Sequence, residues 1–97
     1  MSKRTLLTES EIASLLDALP GWEVQEGTKL YKEFKFDSFA GAMGWMMQMA
    51  IEADKLDHHP NWTNVYNRVE VELWTHSAGG LTGLDRELGI KMEEAFG

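Results

Sequence analysis

Cysteine is missing from all 97 residues, which removes disulfides, thiolate metal sites and a cysteine nucleophile from consideration. Its absence fits a reducing compartment, and the cytosol is the expected location. Basic residues are scarce: nine Lys and Arg against sixteen Asp and Glu give a formal charge of −7. That is the wrong sign for attracting a phosphate backbone, so direct nucleic-acid binding is not expected. Long apolar runs are also lacking. The N-terminal stretch offers only Leu6-Leu7, too short for a signal peptide, and no other stretch approaches membrane-spanning length, so neither export nor a membrane anchor is expected. Proline occurs only twice, as Pro20 and Pro60, and no linker, repeat or low-complexity segment divides the chain. A single domain over residues 1–97 is predicted, with a modest core and no room for a deep private active site.

The local signals are nonetheless clear. Thr8-Glu9-Ser10-Glu11 is a capping box, with Leu7 and Ile12 placed for a hydrophobic staple. Ile12, Leu15, Leu16 and Leu19 then share one helical face until Pro20-Gly21 ends the run. Trp22-Glu-Val and Lys29 to Phe36 read as two strands around a turn at Glu26-Gly27-Thr28. In the second, Leu30, Lys32, Phe34 and Phe36 share a face, and Lys32 is the anomaly. Asp37 is the expected N-cap of a long helix reaching His58, with a central stripe of Phe39, Ala42, Met43, Met46, Met49, Ala50, Ala53 and Leu56. Trp45 and Met47 lie on its flanks and widen the apolar arc to about 200°. So broad an arc reads either as core filled with flexible methionines or as a second surface for self-association. Trp62 to Tyr66 and Arg68 to His76 read as two more strands, with Val69, Val71 and Leu73 on one face and Glu70, Glu72, Trp74 and His76 on the other. Gly79-Gly80 breaks the chain, and the capping box Thr82-Gly-Leu-Asp85 opens a last helix. The expected fold is α+β, in the order αββαββα, with a four-stranded antiparallel sheet and helices packed on one face.

Chemistry concentrates where all three histidines fall, at His58, His59 and His76. Imidazole exchanges protons near neutrality, and the neighbouring Asp54, Asp57 and Asp85 can bias it, so the cluster points to acid/base work. Pro60 disfavours helical geometry at His59, which should send the two adjacent rings in different directions. Asp54, four residues before His58, should share its flank and orient it. Asp57 falls near the middle of the core-facing stripe, where a carboxylate must find polar partners. Asp85 reads as a helix-capping acid or as a partner for a histidine, and Trp62 and Trp74 as core, interface or ligand-stacking groups. No histidine pair has the i, i+4 spacing of a preformed zinc half-site, and neither a complete phosphate loop nor a Gly-x-Ser-x-Gly elbow is present. No metal and no organic cofactor is expected.

At these residues the chain resembles the pterin-4a-carbinolamine dehydratases. That family's pattern of a charged residue, three spacers, His-His-Pro, an aromatic, a further His and a spaced Asp is met in order by Asp54, His58-His59-Pro60, Tyr66, His76 and Asp85. Agreement extends to Lys55-Leu56-Asp57, Asn61-Trp62, Asn64-Val65-Tyr66 and Gly80-Leu81-Thr82. The resemblance implies removal of water from a 4a-hydroxytetrahydropterin to give quinonoid dihydropterin, in recycling the pterin used by aromatic amino acid hydroxylases. It places catalysis on His58, His59 and His76, with proton transfer by His58 and His76 and pterin binding mainly by His59. Asp54 and Asp57 would set histidine protonation or hold polar pterin edges, Asp85 would orient His76 or cap its helix, and Trp62 would wall the pocket. It further implies homodimers or homotetramers and a functional link to a hydroxylase. The alternative is a non-catalytic pterin-binding or regulatory module that keeps the fold and assists dimerisation of a partner, and the two readings separate on whether the protein speeds carbinolamine dehydration.

Overall fold

The computed structural model describes residues 4–97; Met1, Ser2 and Lys3, which open the N-terminal stretch where no signal peptide is expected, lie outside the described residues. The elements are α1 (Glu9–Ala18), β1 (Glu23–Gln25), β2 (Lys29–Lys35), α2 (Phe39–Leu56), β3 (Asn61–Val65), β4 (Arg68–Leu73) and α3 (Gly83–Phe96). The strands form one antiparallel sheet in the order β1-β2-β4-β3. This is the α+β arrangement expected from the pattern, and no helix among the described residues is long and apolar enough to cross a membrane.

Both capping boxes form. Thr8 Oγ1 accepts from the Glu11 amide while Glu11 reaches back to the Thr8 amide, and Thr82 and Asp85 repeat the exchange at α3. The long helix begins one residue later than expected, because Ser38 rather than Asp37 is its N-cap: Ser38 Oγ accepts from the Gly41 amide at 3.0 Å. It also ends earlier, at Leu56, where Asp57 turns left-handed.

Strand alternation explains the core. Val69, Val71 and Leu73 of β4 are fully buried, and they lie beside Leu30 and Phe34 of β2 on the helix-covered face. Lys32, on that same face, is reconciled by Glu93 of α3. Its Nζ donates to Glu93 Oε2 at 2.5 Å, and the Trp22 indole N–H donates to the same oxygen at 2.8 Å. The buried stripe of α2 is rotated from the expected one. Ala42, Trp45, Met49 and Ala53 form it, with Trp45 Nε1 donating to the Met92 carbonyl, while Phe39 is 49 % exposed. Phe39, Met47 (67 %) and Ile51 (54 %) thus leave an apolar flank of α2 facing outward.

On the open face of the sheet, Tyr31 donates to Glu70 Oε2 at 2.8 Å. That hydrogen bond, with some desolvation and the nearby Glu70, Glu33 and Glu23 carboxylates, pushes the Tyr31 phenol up to about 12. A raised folded-state value means the stabilisation is intact below the ordinary phenol pKa of about 10 and is lost as pH rises toward 12. Ultraviolet absorbance titration of a Tyr66→Phe protein should therefore show its remaining tyrosine ionising near 12, and Glu70→Gln should bring it back toward 10; an ordinary value in the parent would contradict the contact.

Candidate active site

The end of α2 sets the geometry. Asp57 adopts φ 50°, ψ 44°, its amide bonds back to Ala53 and Asp54, and the His58 amide reaches the Ala53 carbonyl at 3.1 Å. This is a left-handed helix stop of the kind glycine usually occupies, tolerated by aspartate because its short polar side chain suits that region. Leaving the helical path here swings Asp57 out, so that its side chain is 88 % exposed. The expectation that Asp57 sits in the core-facing stripe is thereby corrected, since helical stepping stops one residue too soon. His58 takes the inward direction instead and is 6 % exposed.

The His58 ring meets Asp85. Because a carboxylate only accepts, His58 Nε2–H donates to Asp85 Oδ1, at 2.6 Å. The other carboxylate oxygen accepts from Thr75 Oγ1 and from the Thr82 amide, each at 2.9 Å. With the Thr75 proton committed to Asp85, the 2.7 Å contact between the threonine hydroxyls has Thr82 donating to Thr75. Asp85 thus caps α3 and orients a histidine, but the histidine is His58 rather than His76. Nδ1 of His58 has no protein partner among the described residues, which leaves it for whatever enters the cleft.

Asp54 likewise has a different partner from the one expected. It accepts from His59 Nε2 at 2.9 Å, an exposed pair, because the left-handed turn brings His59 rather than His58 over that flank. His76 follows the end of β4. The Thr75 amide bonds to the Gly80 carbonyl at 2.8 Å and the Gly79 amide to the Thr75 carbonyl at 2.9 Å, closing a tight turn with Gly79 at φ 75°. In that turn the His76 ring stacks on Trp74, with centroids 4.4 Å apart and planes at 30°.

His58, His59 and His76 line one open cleft of about 570 Å³, together with Arg4, Asp57, Pro60, Asn61, Trp74, Thr75 and Ser77. That size suits a small bicyclic ligand. Trp62 is not among the lining residues. It stands opposite Val71 in the β3–β4 register, which turns it to the helix side, where it packs on Trp45 with centroids 6.2 Å apart. Trp74, read from the sequence as a core, interface or ligand-stacking group, falls in the cleft, and Thr75 and Arg4 join it there without having been read as site groups. Trp74 is on the outward parity with Glu72, Thr75 is a hydroxyl on the buried parity after Leu73, a signal that it needs a partner, and Arg4 donates to the Asp57 carbonyl at 3.3 Å without any sequence signal for doing so. Among the described residues, no three histidine or carboxylate side chains converge to hold a metal ion.

Comparison with known proteins places these residues in context. The family model described as pterin 4 alpha carbinolamine dehydratase matches residues 5–95. Relatives from Brucella ovis and Brucella abortus, each named "Putative pterin-4-alpha-carbinolamine dehydratase", are 48 % identical over 95 residues, covering 97 % of this chain and 98 % of theirs. A crystal structure from Brucella melitensis, described as a transcriptional coactivator/pterin dehydratase, superposes with a TM-score of 0.90 at 49 % identity, covering 94 % of this chain and 98 % of that one.

Replacing Asp85 by alanine strands the His58 ring, the Thr75 hydroxyl and the Thr82 amide together and removes a helix cap. Urea denaturation should show a loss of about 2–4 kcal/mol. A loss below about 0.5 kcal/mol would mean that the carboxylate is not the shared anchor.

Proposed function

Since the chain belongs to the pterin 4 alpha carbinolamine dehydratase family, we propose that it removes water from a 4a-hydroxytetrahydropterin by histidine acid/base catalysis. The observation that carries this reading is the convergence of His58, His59 and His76 on one cleft, one of them fixed by a buried carboxylate. The reaction breaks the C4a–O bond and forms a C4a=N5 double bond. A proton leaves N5, another joins the departing hydroxyl, and the products are quinonoid dihydropterin and water. No electron acceptor or metal is needed to balance it.

His58 suits the base. Its Nε2–H is committed to Asp85, so Nδ1 carries the lone pair, and the carboxylate stabilises the imidazolium that forms when the proton arrives from N5. His76, exposed in the same cleft, supplies the proton to the hydroxyl. His59, steadied by Asp54, holds the pterin, and Asp57 at the rim offers an acceptor to its polar edge. Trp62 contributes only through the packing beneath the site. A role in recycling the pterin of an aromatic amino acid hydroxylase follows from this chemistry, and the lack of cysteine fits such work in the cytosol. The test is the absorbance decay of a synthetic 4a-carbinolamine. His58→Ala and His76→Ala should each lower kcat about 10²-fold or more, whereas His59→Ala should act mainly on KM, by about tenfold. Near-normal dehydration by both of the first two variants would sink the assignment, and a wild type without catalytic turnover would favour the binding-module reading.

The outward apolar flank of α2 supports self-association, with a second copy of this chain as its occupant. Phe39, Met47 and Ile51 lie along one side of an eighteen-residue helix, a length that lets two copies pack side by side. Light scattering should find a homodimer or homotetramer, and the Met47→Glu, Ile51→Glu double variant should shift it to monomer; a monomeric parent would exclude the assembly.

A further inference from the structure

The three imidazoles are restrained in three different ways, and only two of the restraints are carboxylates. His58 is held by Asp85 and His59 by Asp54. Among the described residues, neither ring nitrogen of His76 has a hydrogen-bond or ion-pair partner; its one ring contact is the stack on Trp74. The backbone of the Thr75–Gly80 turn fixes where the His76 Cα sits but leaves the ring free to rotate about its side-chain torsions. Trp74 is itself braced. Leu30 and Leu73 are paired across β2 and β4, which sets the next residues, Lys29 and Trp74, beside each other. The Lys29 ammonium lies 4.8 Å from the centroid of the indole and 3.4 Å from Glu26 Oε2. The order of restraint runs from Glu26 and Lys29 through Trp74 to His76, along the outward parity of the sheet.

Resting on the dehydratase reading, we propose that Trp74 is a positioning residue for proton transfer by His76. Its indole face selects one ring orientation and leaves both imidazole nitrogens available, one toward the substrate hydroxyl and one toward water. A carboxylate could not do this, because it would occupy a nitrogen. Stacking fixes the plane of the ring while competing for none of its hydrogen-bonding capacity. Freed of the stack, the ring would sample other rotamers, and misplacement by about 1 Å at a reacting group costs on the order of 10²-fold in rate.

Two measurements test this. In steady-state dehydration of a synthetic 4a-carbinolamine, Trp74→Ala should lower kcat about 10- to 10²-fold with KM changed less than about twofold, and Trp74→Phe, which restores an aromatic face, should recover kcat to within about threefold of wild type. A rise in KM at constant kcat would overturn the proposal, since it would show the indole binding pterin rather than placing His76. So would an unchanged kcat in Trp74→Ala. In nuclear magnetic resonance, the carbon-bound ring protons of His76 should be shifted upfield by the indole ring current and return to ordinary positions in Trp74→Leu. Ordinary shifts in the wild-type protein would overturn the stack whatever the kinetics, and this measurement needs neither substrate nor a folded alanine variant. A wild type that forms the stack but dehydrates nothing would instead bring down the underlying dehydratase reading, and the catalytic role of Trp74 with it.

Discussion

One buried carboxylate holds the site and much of the fold around it. Asp85 is fully buried, and its two oxygens accept from His58, Thr75 and Thr82, so it joins the end of α2, the end of β4 and the start of α3. An ionised carboxylate taken out of water costs several kcal/mol unless compensated, roughly. Here the compensation is local: an amide, a hydroxyl and an imidazole N–H donate to it, and it lies in the first turn of α3, where the helix dipole favours negative charge. The arrangement that orients the proposed base is therefore the same one that starts the last helix. Geometry at the site and stability of the domain cannot be varied independently at this position.

The left-handed turn at Asp57 is the second determinant, and it works by exchanging the directions of neighbours. Had α2 continued to His58, the ring would have shared the flank of Asp54, and Asp57 would have pointed into the core. Ending the helix at Leu56, two residues sooner, reverses both. His58 goes inward to Asp85, and His59 meets Asp54 in water, where an exposed pair is worth less than about 1 kcal/mol. One ring is thus rigidly held and its neighbour only lightly tethered.

What could be read from the sequence was whatever is decided locally. Thr8 with Glu11, and Thr82 with Asp85, signal helix starts within four residues, and both form. Alternation along β2 and β4 assigned inner and outer faces correctly, including Trp74 and His76 on one side. What could not be read depends on register and on distant partners. Lys32 looked misplaced until Glu93, far along the chain, supplied its counter-charge. The apolar arc of α2, about 200° wide, could not say which part faced the core, because that depends on how Trp45 docks against Met92. Trp62 and Trp74 offered the same chemistry, and only the pairing of Trp62 with Val71 shows that the former is turned toward the helices. Among the carboxylates, residue type and spacing singled out Asp54 and Asp85 as histidine partners but matched them to other rings than the structure does, since each lies within reach of more than one histidine until the helix end is known.

The openness of the cleft has a chemical consequence for the proposed dehydration. Each turnover leaves the base carrying the proton from N5 and the acid lacking the one given to water, so both must exchange protons before the next substrate reacts. In a sealed pocket that reset would require an internal relay between base and acid. Here His76 is exposed and His58 lines the same open cleft, so solvent can reset both. Such exchange is rapid for imidazole near neutrality. The cleft is open rather than enclosed, and for a reaction that releases water and needs only two proton movements, enclosure would bring little advantage. The selective demand then falls on orientation rather than on exclusion of solvent. Orientation is what the buried Asp85 provides for one ring, and the stacked Trp74 supplies the corresponding restraint for the other.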